Sequence, residues 1–160
     1  PEVSATGNHG HRRHDGIDPV LRTRARRRAL QAVYAWQMSG GEARQVIAQF
    51  AHEQAREQAD LVYFEDIVKG VLAHRHDNDE ALRTLLDRDV DEVDPVERAV
   101  LRIATYELRQ RIDVPYRVVI NEAIETAKRF GAEHGHTYVN GVLDRAAEAW
   151  RAVEVHAARK

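Results

Sequence analysis

Cysteine is absent from this chain of 160 residues, so the chain can form no disulfide and offers no thiol nucleophile. No apolar run approaches the ~20 residues that a membrane span needs. The N-terminus lacks the apolar core of a signal peptide, and we therefore expect a cytoplasmic protein. There is also no Gly-rich phosphate loop, no Ser nucleophile elbow and no His-Glu-x-x-His motif. We expect neither catalysis nor a cofactor.

Charge is small overall but unevenly distributed along the chain. The net charge is −2 at pH 7, yet residues 1–28 hold seven arginines and three acidic residues, so that residues 29–160 carry an excess of six negative charges. A basic segment on an acidic body is typical of proteins that bind polyanions. At this length the chain is about one domain, and it is long enough to bury a hydrophobic core.

Helical periodicity runs through the chain from Pro19 onward, and no segment shows sustained period-two alternation. The Asn140-Gly141 pair is a hairpin signal in principle, but helical spacing flanks it on both sides, so we expect it within a helix. Phe130 and Val153 are expected to face inward. The spacing predicts an all-α compact bundle of about seven helices, over roughly 20–38, 42–57, 60–74 and 136–155, with others opened by Asp77, Asp94 and Pro115.

A polar stretch at 91–94 is the best candidate for a subdomain boundary. Residues 1–18 are rich in Gly, His and Asn, and we expect them to form a disordered tail. Residues 19–90 are the expected N-terminal helical subdomain, with an arginine-rich first helix. Residues 91–155 are the expected C-terminal helical subdomain, and 156–160 a flexible tail.

Three helix ends carry capping signals. Asp77 and Glu80 have the spacing of a capping box. Asp94 and Glu97 repeat that spacing, with a proline at the first helical position between them. Gly131 stands where a left-handed residue would end a helix. We therefore expect these residues to cap helices.

Five arginines lie within seven residues of the first helix: Arg22, Arg24, Arg26, Arg27 and Arg28. Arginine binds phosphate bidentately and stacks on bases, so the cluster is a candidate contact for RNA or DNA. A solvated helix start is the alternative, although cations near a helix N-terminus oppose its dipole at a cost of about a few tenths of a kcal/mol each. Composition alone leaves both interpretations open.

Tyr138 follows a loop that contains Gly131, His134 and Gly135. An aromatic residue at a helix start beside such a loop can stack on an unpaired base, and the backbone amides could hold a phosphate. A half-buried tyrosine and ordinary turn glycines explain the same pattern.

Histidines and carboxylates give no convincing catalytic or metal site. The two His-x-His pairs have no obvious third ligand, and residues two apart point to different sides of a helix, so we expect no metal. The carboxylates of the last helices fall beside basic residues on polar helix sides, which is typical of a salt-bridged surface rather than of an acid/base pair.

Four blocks of the sequence together resemble the NusB family of bacterial transcription antitermination factors. The last block is the most specific, because it combines Val-Pro-x-x-Val, Ile-Asn-Glu-Ala, Ala-Lys-x-Phe-Gly and Tyr-Val-Asn-Gly-Val-Leu. The resemblance covers nearly all of 22–147, in the blocks 26–40 (RRRALQAVYAWQMSG), 63–71 (YFEDIVKGV), 96–108 (VERAVLRIATYEL) and 113–143.

The resemblance implies two three-helix subdomains and a non-enzymatic RNA-binding factor. Such a factor pairs with NusE, a small-subunit ribosomal protein, grips the boxA element of nascent RNA and helps RNA polymerase read through terminators, notably in ribosomal RNA operons. By motif position, Tyr34 and Glu97 would face NusE. The RNA contacts would be Arg22, Arg24, Arg26, Arg27, Arg102, Tyr116, Arg117, Lys128, Gly131, His134 and Tyr138.

Two other classes of protein remain as alternatives. A NusB-like bundle also precedes the catalytic domain of some RNA methyltransferases, but the sequence has no Gly-rich cofactor motif and no catalytic cysteine. A helix-turn-helix protein would prefer duplex DNA. The pattern leaves open whether the protein is a monomer or a dimer, since an amphipathic stripe serves either.

Overall fold

The computed structural model describes residues 17–51 and 58–159, and within these ranges it is all-helical. Residues 1–16 of the expected N-terminal tail over 1–18 therefore lie outside the described residues. Residues 52–57, at the expected end of the second helix, lie outside them as well. The α-helices of the described residues are α1 (Pro19–Ser39), α2 (Ala43–Ala51), α3 (Leu61–Ala73), α4 (Arg75–Arg83), α5 (Pro95–Gln110), α6 (Tyr116–Phe130), α7 (Gly135–Trp150) and α8 (Ala152–Ala158). A short 3-10 helix at Val90–Glu92 lies between α4 and α5.

Helix α5 is the centre of the bundle. Every residue from Ala99 to Leu108 is buried, because α1, α3, α4, α6 and α7 all pack around this helix. Asp94 caps its start by accepting a hydrogen bond from the Val96 amide at 3.0 Å, as the sequence predicted. The polar residues on α5 therefore meet partners inside the protein.

Cross-helix contacts fix the directions of the helices. Helix α1 is antiparallel to α5, because Arg26 meets Glu107 while Gln37 bonds to the Pro95 carbonyl. It is parallel to α6, because Thr23 bonds to Glu122 while further on Tyr34 shares a groove with Phe130. The bundle thus has an arginine end, formed by the starts of α1 and α6 and the end of α5. The opposite, loop end holds the starts of α5 and α7 and the end of α6.

Two of the capping predictions, for the start of α4 and the end of α6, were wrong. Helix α4 begins at Arg75, two residues before Asp77, and Glu80 pairs with Arg83 instead of closing a capping box. Gly131 has φ −91° and ψ −176°, which is extended rather than left-handed backbone.

Predictions toward both ends of the chain also needed correction. Phe130 is 37% exposed and Val153 87% exposed, so neither faces the core. Val153 points outward because the helical period breaks at Arg151, between α7 and α8. Residues 156–158, expected in a flexible tail, are the last turn of α8, and Asp18, expected in the N-terminal tail, caps α1.

The core and the remaining helices agree with the amphipathic pattern. Asn140-Gly141 lies inside α7, as the flanking spacing predicted. No helix in the described part of the chain has the length and hydropathy for crossing a bilayer. The largest side chains that are fully buried include Phe64, Ile67, Leu82, Leu101, Leu108 and Leu143.

Candidate nucleic-acid interface

The arginines of α1 divide into an inward and an outward group. Arg22 and Arg26, one turn apart, both approach the ring of Tyr63 on α3, at 4.1 and 5.2 Å from the guanidinium carbon to the ring centroid. Arg24 and Arg28 project about 160° away from Arg26, since each helical residue turns about 100°. The helix therefore presents only part of its arginine cluster to solvent.

Arg26 is the anchor of the inward group and is 5% exposed. Its guanidinium donates to both carboxylate oxygens of Glu107, at 2.9 to 3.1 Å, and the Tyr63 hydroxyl donates to the same carboxylate. Burial alone would lower the pKa of Arg26, but Glu107 raises it well above its ordinary value. Burial and Glu107 raise the pKa of Tyr63. The sequence had placed Arg26 among the RNA contacts, yet its observed contacts are internal.

Arg24 and Arg27 are the members of the outward group that the family resemblance named. The Arg24 guanidinium donates to the Gln58 carbonyl at 3.1 Å, which holds its stem near the start of α3. Arg27 lies about 100° from Arg26, on the edge of α1 that faces α6. Both side chains are half-buried and leave part of their surface to solvent.

The start of α6 adds Tyr116 and Arg117 to the arginine end. Arg117 is exposed, and its Nε donates to the Tyr116 hydroxyl at 3.1 Å. Arg111, which the sequence analysis missed, also lies here: its guanidinium is 4.9 Å from the Tyr63 centroid and pairs with Asp66 and Asp113. Spacing gave no signal for Arg111, because its partners belong to α3 and to the α5–α6 turn.

Four predicted RNA contacts lie at the loop end instead, namely Lys128, Gly131, His134 and Tyr138. Lys128 and His134 are exposed, and Lys128 pairs with Glu125 at 3.7 Å. Tyr138 is half-buried, its hydroxyl donates to Asp87 at 3.3 Å, and the Arg88 guanidinium lies 4.9 Å from its ring centroid. Lys128 and Arg117, eleven residues apart on one helix, are separated by about 16 Å at 1.5 Å per residue. The predicted contacts thus form two groups along α6 rather than one patch.

Arg102 belongs to neither group. It is 9% exposed and faces α4, where its guanidinium donates to Asp79 at 2.8 and 3.2 Å and to Gln37 at 3.1 Å. The ring of Trp36 lies 5.3 Å from the same guanidinium. Its observed contacts hold α1, α4 and α5 together.

Glu97 explains why the loop after α6 is rich in glycine. One of its oxygens accepts a hydrogen bond from the Ala132 amide at 3.0 Å, and a Cβ on either Gly131 or Gly135 would collide with that oxygen. Burial and a hydrogen bond to Asp94 raise the pKa of Glu97, while the same bond lowers the pKa of Asp94. Glu97 is therefore a loop-binding residue, and not the helix cap that its spacing suggested.

Beside Glu97 lies an apolar groove of about 310 Å³. Tyr34, 40% exposed, and Phe130 stand on its walls. Arg27 precedes Tyr34 by two helical turns, so the two residues lie on the same side of α1. The groove is lined by Leu30, Gln31, Tyr34, Ala35, Phe50, Val96 and Phe130.

The described residues hold no group of three or more His, Asp or Glu side chains placed to bind a metal ion. His134 is exposed in the loop, and His74 ends α3 with its ring 6.1 Å from that of Tyr106. These histidines therefore lie in separate places, and each has an ordinary setting on or near the surface.

Comparison with other proteins identifies relatives over most of the chain. Residues 23–148 match the NusB family. Among named proteins, the transcription antitermination protein NusB of Xanthomonas axonopodis pv. citri is 74% identical over 153 residues, which cover 95% of this chain and 96% of that protein. The protein of the same name from Xanthomonas campestris pv. campestris is 72% identical over 153 residues and covers the same shares.

Solved structures share the fold. T. maritima NusB aligns with a TM-score of 0.68 and 33% identity, over 79% of this chain and 89% of that one. A chain from a crystal structure of the antitermination factors NusB and NusE in complex with dsRNA aligns with a TM-score of 0.72 and 24% identity, over 80% of this chain and 96% of that one. The names describe transcription factors rather than enzymes.

Proposed function

The chain belongs to the NusB family, and from this premise we propose that it is an RNA-binding transcription antitermination factor. It acts with NusE, a small-subunit ribosomal protein, on the boxA element of nascent RNA and promotes read-through by RNA polymerase, notably in ribosomal RNA operons. Its place of action is the cytoplasm, where transcription takes place. The proposal contains no catalytic step and no cofactor.

The single observation that carries the RNA assignment is that Arg24 and Arg27 of α1 keep part of their surface open to solvent, while Arg26 is buried, on an otherwise acidic protein. Arginines that only served the fold would turn inward, as Arg26 does. A guanidinium that stays partly open to solvent can bind phosphate bidentately and stack on a base. Lys128, His134 and Tyr138 extend this proposed surface toward the loop end, and Gly131 keeps the loop close to the protein.

The proposed binding site for NusE is the apolar groove with Tyr34 on its wall. Exposed aromatic residues in such grooves are typical anchors of protein interfaces. Glu97 supports the groove by holding the adjoining loop through its hydrogen bond with the Ala132 amide. A structural relative was crystallised with NusE and dsRNA, which supports a joint complex.

RNA binding is tested by filter binding at several salt concentrations. Arg24→Ala/Arg27→Ala should weaken binding of boxA RNA and lower the salt slope by about two, because each phosphate contact contributes about one. Arg44→Ala/Arg83→Ala removes the same charge elsewhere and should leave the slope unchanged. Equal behaviour of the two double variants would refute the RNA surface.

Competition by duplex DNA separates this function from that of a helix-turn-helix protein. We expect unlabelled single-stranded RNA to displace bound boxA RNA from the protein far better than duplex DNA does. Preferential displacement by duplex DNA would favour the helix-turn-helix alternative. The RNA methyltransferase alternative has no support in the names of the relatives.

Partner binding is tested by titrating NusE into Tyr34→Ala and wild-type protein. Because Tyr34 is exposed, its removal should leave stability within about 0.5 kcal/mol of wild type while weakening NusE binding about tenfold or more. Val62→Ala, which truncates an 82% exposed residue on α3, is the control. Undiminished binding by Tyr34→Ala would place NusE elsewhere.

A further inference from the structure

Helix α8 begins beyond the family match, which ends at residue 148, and the residue before it is a buried arginine, Arg151. Its guanidinium donates to three carbonyls at the end of α5: to Leu108 at 2.8 Å, to Glu107 at 3.2 Å and to Arg111 at 3.0 Å. The last carbonyls of a helix have no partner within the helix and attract cations. Arg151 therefore closes the end of α5 from another part of the chain.

Glu154 continues this contact to the start of α6. One carboxylate oxygen accepts from Arg151 at 2.7 Å, and the other accepts from the backbone amide of Tyr116 at 2.8 Å. The N-cap of α6 is Pro115, whose side chain makes no capping hydrogen bond. Glu154 supplies the missing acceptor, which is the usual task of an N-cap side chain. We call Arg151 and Glu154 the α8 clamp.

We propose that the α8 clamp is a positioning device of the RNA surface. It ties the end of α5 to the start of α6 across the intervening turn, and thereby fixes the direction in which Tyr116 and Arg117 leave the protein. A fixed direction lowers the ordering cost when an arginine binds phosphate. The inference rests on the proposed RNA-binding function.

Electrostatics alone predicts the opposite effect of removing Glu154. A carboxylate near a polyanion site repels the ligand, so its removal should tighten RNA binding. Loss of positioning should weaken it. Glu148 is a matched control, because it lines a groove together with Tyr116 but pairs with His156 and Arg159 instead of the Tyr116 amide.

The test compares boxA RNA affinities of Glu154→Ala and Glu148→Ala at fixed salt. Glu154→Ala should bind about threefold to tenfold more weakly, as expected for losing a charge-assisted hydrogen bond that orders the site. Glu148→Ala should bind as wild type or more tightly. In an Arg117→Ala background, Glu154→Ala should cause a smaller further loss than it does in the wild-type protein, because only Tyr116 is then left to be positioned. Amide hydrogen exchange at Tyr116 should accelerate in Glu154→Ala alone.

Binding by Glu154→Ala that equals or exceeds that of Glu148→Ala would overturn the inference. Losses that simply add in the Arg117→Ala background would overturn it too. If Glu154→Ala fails to fold, Glu154→Asp replaces it, because this change keeps the charge and shortens the reach; unchanged affinity would then overturn the inference. Failure of the RNA function is a distinct result, since Arg24→Ala/Arg27→Ala and Arg117→Ala would then also bind normally.

Discussion

Replacing Arg26 by methionine tests whether the inward arginines belong to the fold or to the RNA surface. Methionine fills a similar volume without charge, so the change leaves the Glu107 carboxylate in the core with only the Tyr63 hydroxyl as a donor. The side chains of Arg26 and Glu107 are 6% and 2% exposed, so solvent cannot replace the lost ion pair. Breaking a buried pair from one side costs about 3–5 kcal/mol.

That cost is large for a small domain, whose total stability is about 5–15 kcal/mol. An exposed arginine would cost less than about 0.5 kcal/mol. The two cases are therefore separated by more than the error of urea denaturation followed by circular dichroism. A loss below about 1 kcal/mol in Arg26→Met would refute the buried arrangement.

The matched variant removes all three polar groups together, as Arg26→Met/Tyr63→Phe/Glu107→Leu. Because no unpaired buried group remains, most of the lost stability should return. The RNA affinity of this triple variant should stay within about twofold of wild type, because the Arg26 charge is buried and so adds little to RNA binding. A loss as large as that of Arg24→Ala/Arg27→Ala would mean that Arg26 contacts RNA itself.

Further predictions concern Glu97 and two glycines that follow α6. Glu97→Gln keeps the bond to the Ala132 amide and donates to Asp94. Because the pKa of Glu97 is raised in the folded protein, the wild-type protein loses stability as the pH rises above 4.5, the ordinary pKa of a glutamate, whereas the variant should not. Thermal melting at several pH values should therefore show a stability difference between the two proteins that grows toward neutral pH. Gly135→Ala should destabilise by about 1–3 kcal/mol through collision with Glu97. Gly141→Ala, whose Cβ would have 3.7 Å to its nearest neighbour, should stabilise α7, by about 0.5–1 kcal/mol; equal effects of the two glycine changes in urea denaturation would contradict the packing.

Much of the fold was predictable because each helix carries its own amphipathic period and several carry caps. The signal for an inward Arg26 was present as well: Arg22 and Arg26 precede Leu30 at four-residue intervals and so share its buried side. Charge alone concealed this, because a run of arginines reads as a single exposed cluster.

The glycines and the helix break were beyond local reasoning. Gly131 ends α6 without left-handed backbone, and it needs to lack a side chain because Glu97, distant in sequence, occupies that space. The helical spacing of apolar residues continues in the sequence after Trp150, but the helix breaks at Arg151, whose side chain binds carbonyls at the end of α5. Such reasons are tertiary, since they depend on which elements meet.

The most direct test of the account is whether NusE and boxA RNA bind this protein together. Binding of RNA to wild-type protein, measured by fluorescence anisotropy with and without saturating NusE, should be tighter with NusE, and linkage requires that RNA tighten NusE binding by the same factor. Arg24→Ala/Arg27→Ala should lower RNA affinity in both conditions. Independent binding of the two ligands, together with undiminished RNA affinity in that variant, would contradict the account.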